Sequence, residues 1–277
     1  MQLRAPAKIN LSFRILGRRG DGFHEIETLM ASVSLYDSIT ITRLEGAGEV
    51  DFVCDDPTLP IGDDNLVIRA ASSFFESIGQ RASVRIELEK RIPSGAGLGG
   101  GSSDAATVLL GLDEIMKAGL SERKLAELAA EIGSDVPFFI YQSAARCCGR
   151  GEIVRPNELP GALSLLLVKP SFGVPTPWAY GRWKESKALP GIRYEEQEFA
   201  GLRFVNDLER PVFEKFIFLA HAKMWLLAQT EVGAAMMSGS GSTLFAVLRD
   251  GADGEELALR AKAGLDPQLW TCLCETL

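Results

Sequence analysis

No stretch of this chain is apolar for the roughly 18 residues that a bilayer span requires. The start, Met1-Gln2-Leu3-Arg4-Ala5-Pro6, has no apolar signal core, so a cytoplasmic protein without a membrane partner is expected. An excess of positive charge is missing too: 29 Lys and Arg against 37 Asp and Glu leave a net charge of −8. That excludes long-range attraction of a nucleic-acid backbone, and no nucleic-acid partner is expected. A polyanionic ligand would have to be met by local charge, with magnesium as the natural supplement. Cysteine is sparse and odd in number, five in all, which argues against a disulfide framework. Cys147-Cys148 and Cys272-x-Cys274 lack zinc-finger spacing, so all five read as reduced packing residues. Internal repeats, low-complexity tracts and long charge blocks are also missing. What is there is 277 residues, 46% hydrophobic, enough for one large or two ordinary domains with a sizeable core.

The densest feature is Ile92-Pro93-Ser94-Gly95-Ala96-Gly97-Leu98-Gly99-Gly100-Gly101-Ser102-Ser103-Asp104-Ala105-Ala106, with five glycines in the seven residues 95–101. A strand is expected before it over 82–90, where Val84, Ile86 and Leu88 alternate with Arg85, Glu87 and Glu89. A helix is expected after it, over about 102–117. Glycines that open a helix let the backbone approach a ligand closely. The free N–H groups and dipole of the helix start favour an anion, most commonly phosphate. Ser102 and Ser103 add hydroxyls within reach of a phosphate or its magnesium. Gly95, Gly97 and Gly100 fit the dinucleotide pattern G-x-G-x-x-G, but that pattern needs a second parallel strand ending in an acid about 20 residues on. Here the next segment, 121–132, reads as another helix. The loop G-x-x-x-x-G-K-[ST] fails because Gly101 occupies the lysine position. A turn with no ligand would need one or two glycines, not five.

In chain order, 3–16 reads as a strand with Ile9, Leu11, Phe13 and Ile15 on one face and Lys8 and Asn10 on the other. Pro6 there suggests an edge or a bend. After the turn at 17–22, strands are expected over 25–33, 37–44 and 49–54, then a helix over 65–79 ended by Gly79. Residues 141–153 read as irregular and 155–161 as a linker, which divides the chain into 1–155 and 156–277. Beyond it come an apolar strand at 163–168 and a stiffened segment at 170–177 leading to Trp178 and Tyr180. A helix at 208–229, a strand at 232–237 and a second small loop, Ser238-Gly239-Ser240-Gly241-Ser242, follow. A strand at 243–248, a helix at 254–264 and a strand at 268–273 close the chain. An antiparallel β start followed by helices, then a β-α-β-β-α-β half, makes this α+β rather than doubly wound α/β.

Spacing alone favours structural roles for the polar and aromatic residues that stand out. Lys8 in the first strand and Asp135 in Gly133-Ser134-Asp135-Val136-Pro137 interrupt apolar or small-residue contexts. As a pair facing a nucleotide they would suit phosphoryl transfer, with a carboxylate to take a hydroxyl proton and an ammonium to hold developing charge. Singly, Lys8 snorkels at a strand edge and Asp135 holds a turn. His24 reads as a surface turn residue, Trp178 and Tyr180 as core, and Asn65 as a helix cap.

The segments taken together narrow this. Pro6-Ala7-Lys8-Ile9-Asn10-Leu11, Gly20-Asp21-Gly22-Phe23-His24, Asp64-Asn65-Leu66-Val67, Lys90-Arg91-Ile92-Pro93, the glycine loop, Gly133-Ser134-Asp135-Val136-Pro137, Pro175-Thr176-Pro177 and Ser238-Gly239-Ser240-Gly241 resemble, in that order, the GHMP kinase superfamily. The N-terminal segment with Gly22-Phe23-His24 resembles the branch whose acceptor is a small-molecule cytidine diphosphate of the non-mevalonate isoprenoid route. The resemblance implies ATP and Mg2+, and a two-domain α+β fold with an N-terminal ribosomal-protein-S5-like domain and a C-terminal ferredoxin-like sandwich. It implies Lys8 and Asp135 as the catalytic pair, with Asp135 as base. It assigns ATP to Asn65, Lys90, Pro93, Ser94, Gly95, Ala96, Gly97, Leu98, Gly99, Gly100, Gly101, Ser102 and Ser103. It assigns the cytidine end to Phe23 and Tyr180, which would bracket the base, and to His24 at its edge, with Asn10 and Thr176 nearby. No residue is firmly assigned to magnesium. The departures are Phe23 in place of tyrosine, Ser94-Gly95-Ala96 in place of a more glycine-rich start, and Asp104, whose carboxylate should turn away from the phosphates. A homoserine, mevalonate or sugar kinase would leave the bracketing aromatics unexplained, and a non-catalytic nucleotide sensor would leave Lys8 and Asp135 unexplained.

Overall fold

The structure, a computed structural model, describes residues 1–46 and 48–277. Two long strands set its frame: β1 (Gln2–Arg18) and β2 (His24–Leu44) run antiparallel across the turn between them. The strands expected at 25–33 and 37–44 are one bent strand, because both halves pair with β1 and a register shift between Pro6 and Ala7 takes up Ser34 and Leu35. β3 (Val50–Cys54) follows, then α1 (Leu66–Ile78), capped by the Asn65 side chain and closed by Gly79 in the left-handed region. β4 (Ser83–Glu89) feeds the glycine loop, which opens α2 (Gly100–Met116). α3 (Glu122–Ile132) and the short α4 (Val136–Ile140) come next. The region read as irregular holds β5 (Ala145–Gly149) and β6 (Ile153–Pro156). Their alternation is carried by Ala, Cys and Gly facing in and Arg146 facing out, too weak a contrast to register as a period of two.

The second half continues with β7 (Ser164–Lys169), α5 (Thr176–Arg182), β8 (Gln197–Phe199) and β9 (Leu202–Asn206). The helix expected over 208–229 is two, α6 (Glu209–Lys215) and α7 (Ile217–Leu227), because Phe216 leaves helical dihedrals at ψ 68°. β10 (Val232–Met237), β11 (Leu244–Leu248), α8 (Gly254–Gly264) and β12 (Trp270–Glu275) complete the chain.

The first sheet runs β3-β4-β2-β1-β9-β8, with β5 and β6 attached to β2. The second runs β10-β11-β7-β12, wholly antiparallel, which is the split β-α-β arrangement read from the second half. Three apolar layers hold the two sheets. Helices α1 to α4 cover one face of the first sheet through Phe74, Leu109, Leu112 and Phe138. Helices α5 to α8 cover the second sheet through Val212, Phe213, Leu219 and Leu257. Between the sheets, Ile9, Leu11 and Ala31 pack against Leu165, Leu167, Met236 and Phe245, with Ala96 and Leu98 of the glycine loop sealed into the joint. The glycine loop therefore lies on the seam of the molecule. All five cysteines are free thiols. Among the described residues, no helix is long and apolar enough to cross a membrane.

Candidate active site

The glycine loop is shaped by what crowds it. Gly97, at φ 76°, abuts the second loop: a Cβ there would overlap the Ser238 carbonyl and lie 3.0 Å from the Gly241 carbonyl. Gly99, at φ 70° just before α2, leaves room for a lysine, since a Cβ would sit 2.9 Å from Lys8 Cγ and 3.1 Å from Phe139. The loop is fastened at both ends by backbone bonds: Lys8 N donates to Leu98 O (2.9 Å) and Thr243 N donates to Ala96 O (3.1 Å). Two cavities meet along it. The smaller, about 300 Å³, is bounded by Asn65, Lys90, the residues Pro93 to Gly97 and Gly99 to Ser102. The larger, about 790 Å³, takes Gly95, Gly97, Gly99 and Ser102 as one wall and runs on to Lys8, Asp135, Phe23, His24 and Tyr180. Ser102 borders both. Leu98 and Ser103 border neither; Leu98 faces the joint between sheets, and the Ser103 hydroxyl is buried without a partner.

Lys8 and Asp135, distant in sequence, come together in the larger cavity. Lys8 Nζ lies 3.3 Å from Asp135 Oδ2 and donates to Asn10 Oδ1 at 2.7 Å. Asn10 is buried, and its amide nitrogen donates to Thr28 Oγ1 (2.8 Å), which donates on to Ser12 O (2.6 Å). Asn10 lines the larger cavity next to Lys8, whose ammonium its carbonyl oxygen holds. Asp135 heads α4 but makes no side-chain capping bond, and its side chain is 37% exposed to the cavity mouth. In general a carboxylate open to a cavity can take a proton from a bound hydroxyl, and an ammonium beside it favours an anion forming there.

The aromatic end is built by three elements. The His24 and Tyr180 rings lie 5.2 Å apart, tilted by 35°, and Phe13 meets Tyr180 edge-on at 6.2 Å. Phe23 is 52% exposed, with the Arg150 guanidinium 5.0 Å from its ring centre. Thr176 starts α5, its hydroxyl 2.8 Å from that of Ser240. Burial, with Arg18 and Lys184 nearby, pushes the His24 imidazole below its ordinary range, which keeps it neutral at pH 7. Burial, with Asp135 adding to it, pushes the Tyr180 phenol up. Sequence reasoning did not single out Arg18, Arg150 and Lys184 as site residues, yet all three line this cavity and bring positive charge to it in a chain of net charge −8. The one available signal was Arg150 between two glycines.

Lys90 borders the smaller cavity, but its ammonium is bonded to Asp37 and, at 2.7 Å, to Asp104. Asp37 also accepts the backbone N–H groups of Arg91 and Ile92. The three side chains tie β2, the root of the loop and the first turn of α2 into one unit. Burial, together with the neighbouring Asp37 charge and against the pull of Lys90, pushes the Asp104 carboxyl up to about 7. Among the described residues, no group of three or more His, Cys, Asp or Glu is arranged to hold a metal ion.

Residues 65–143 match the family of GHMP kinases, N terminal domain. The chain is 42% identical to 4-diphosphocytidyl-2-C-methyl-D-erythritol kinase of Methylacidiphilum infernorum over 280 residues, covering 99% of this chain and 96% of that one. The structure is similar to the crystal structure of a 4-(cytidine 5'-diphospho)-2C-methyl-D-erythritol kinase, with a TM-score of 0.78, 37% identity and 99% of both chains covered. It also shares its fold with a homoserine kinase from Cytophaga hutchinsonii, with a TM-score of 0.71, 18% identity, and 100% of this chain and 94% of that one covered.

Proposed function

The chain belongs to the 4-diphosphocytidyl-2-C-methyl-D-erythritol kinases, an ATP-dependent branch of the GHMP kinases, and on that footing we propose that it phosphorylates the 2-hydroxyl of 4-diphosphocytidyl-2-C-methyl-D-erythritol. The observation that carries this reading is the pair Lys8 and Asp135, 3.3 Å apart, in a cavity with the glycine loop on one side and Phe23, His24 and Tyr180 on another. The nucleotide occupies the smaller cavity, its phosphates turned toward the N–H groups at the start of α2. The cytosine lies between Phe23 and Tyr180, and His24, neutral, reads its edge. Stacking of this kind contributes about 1–3 kcal/mol per base. Asp135 takes the proton of the 2-hydroxyl as its oxygen bonds to the γ-phosphorus and the bond to the ADP oxygen breaks. Lys8 steadies the oxygen as it gains charge. No phosphoenzyme is involved.

Magnesium is part of the proposal. With Asp37 and Asp104 turned to Lys90, the acids left beside the loop are Asp64 in the smaller cavity and Asp135 in the larger, and the Ser102 hydroxyl borders both cavities. Those donors fit an ion held chiefly by the nucleotide's own phosphates and water. It would supply neutralisation of phosphate charge. We assign residues 1–155 to the ATP-binding unit and 156–277 to the second unit, with β8 and β9 lent to the first sheet.

The test is ADP release with ATP, magnesium and 4-diphosphocytidyl-2-C-methyl-D-erythritol, followed by phosphorus NMR of the product. A new monoester at the 2-position is expected. ATP binding without substrate-dependent ADP release would remove the reading.

A further inference from the structure

Behind the second loop, away from both cavities, two buried side chains hold its backbone. Asn206, at the end of β9, donates from Nδ2 to Met237 O and to Gly239 O, each at 2.7 Å. Its Oδ1 accepts from Leu208 N at 2.9 Å, so both donors and one acceptor site of the amide are used. Glu209 opens α6, and its Oε1 accepts from Met237 N at 2.9 Å. Its other oxygen pairs with Lys223 Nζ at 2.6 Å, and that ammonium also donates to Arg193 O at 2.6 Å. Both residues of this ion pair are 1% exposed. A buried ion pair is a poor device for stability alone, since apolar side chains of similar volume commonly do as well or better. This carboxylate does what an apolar group cannot: it takes the N–H at which β10 ends.

The front of the same loop is in contact with the proposed transfer site. Ser238 Oγ donates to Gly97 O at 2.9 Å. A Cβ on Gly239 would lie 3.2 Å from Asn10 Oδ1 and 3.4 Å from Lys8 Nζ. The loop is held from behind by Asn206 and Glu209 and, in front, is bonded to Gly97 and lies beside Asn10 and Lys8. Neither Asn206 nor Glu209 lines either cavity.

We propose that Asn206 and Glu209 are positioning residues for phosphoryl transfer, gripping Met237 and Gly239 so that the 238–242 loop fixes Lys8 and the glycine loop in register. The proposal rests on the reading of Lys8 and the glycine loop as the transfer site. Because β9 also pairs with β1, at Phe13 and Asn206, the grip fixes the second loop relative to the strand that carries Lys8.

The experiment is Asn206→Asp in the ADP-release assay, beside wild type. The substitution is nearly isosteric, keeps the acceptor for Leu208 N, and turns a carboxylate toward two carbonyls. Misplacement of a site by about 1 Å can cost on the order of 100-fold, so kcat is expected to fall by about that factor, with KM for ATP little changed and cooperative melting retained. A folded variant with wild-type turnover overturns the proposal alone, and so does one whose loss lies wholly in KM. A wild-type enzyme that is silent overturns the functional reading and this proposal with it. Should Asn206→Asp not fold, two double variants decide. Glu209→Gln with Lys223→Met keeps the acceptor for Met237 N without a buried charge, and Glu209→Met with Lys223→Met removes it. Turnover of the second is expected about tenfold below the first, the scale of one buried N–H left unpaired. Equal turnover overturns the proposal.

Discussion

Lys8 and Lys90 approach the same glycine loop from opposite sides, and each side chain is almost fully buried, at 5% and 8% exposure. Lys8 faces a single carboxylate, Asp135, that is 37% exposed and open to the larger cavity. Lys90 faces two, Asp37 and Asp104, at 0% and 2%. An ammonium whose partner looks into a cavity can share its charge with whatever enters. One closed in by two buried acids has two of its three donors committed, and its charge is set against theirs rather than a ligand's. On the reading proposed for Lys8, two lysines beside one loop divide into a working group and a strut, and the partner's exposure, not the lysine's, sets the division.

The sharpest way to break this contrast is at the working pair. Asp135→Asn is expected to lower kcat by about 10²–10⁴-fold, the range of a lost general base, with ATP affinity close to wild type. Nucleotide titration beside steady-state assay separates the two, and undiminished turnover removes Asp135 from the mechanism. At the strut, Lys90→Met leaves two buried carboxylates facing each other. Breaking a buried pair costs about 3–5 kcal/mol, which for a chain of this size lowers Tm by roughly 10 °C or more. That loss should shrink toward acid pH. The Asp104 carboxyl, pushed up to about 7, binds its proton more tightly in the folded than in the unfolded chain. Its contribution therefore favours folding at low pH and is lost as pH rises through about 7. Thermal melts of Lys90→Met at pH 5.5 and 8.5 check the sign, and an equal deficit at both would deny Asp104 that role.

Away from both lysines the effects are smaller and move KM instead. Phe23→Ala removes one stacking face, so KM for the cytidine substrate should rise by roughly 5- to 100-fold with KM for ATP unchanged. Competition by CMP should weaken in parallel. The least effect belongs to pH acting on His24. With its imidazole held below the ordinary range, KM for that substrate should be flat from pH 7 to 8.5 and rise only on the acid side. A rise centred above pH 7 would contradict a neutral edge reader.

Much of this was legible in the sequence where the signal is local. The glycine loop, the Asn65 and Gly79 caps of α1, and the limits of α8 each follow from residues within a few positions of the feature. The resemblance also brought Lys8 and Asp135 forward, though spacing alone favoured two bland structural roles. What could not be read are contacts made across the seam. Nothing near Asn206 in sequence marks its role, because its amide meets Met237 and Gly239 only once β9 is paired with β1. Lys90 is assigned to ATP by the resemblance, and nothing near it in sequence announces Asp37 arriving from β2 to share it with Asp104. Phe216 looks helical by pattern, and the break there comes from packing: its ring stacks on Phe172 at 5.3 Å and meets Trp178 edge-on at 5.7 Å.

One consequence of the sheet order reaches beyond catalysis. β9 is the parallel neighbour of β1 at Ser12 and Phe13, so that stretch of β1, made well before β9, waits for residues 205 and 206 before its far edge is covered. Until then the emerging chain carries an open strand edge of the kind that pairs with other chains. A fragment ending at residue 155 would keep that edge open permanently, and would leave Ile9 and Leu11 without the second-sheet side chains that cover them. The nascent first half, still on the ribosome, is thus the stage at which this edge and these side chains stand uncovered.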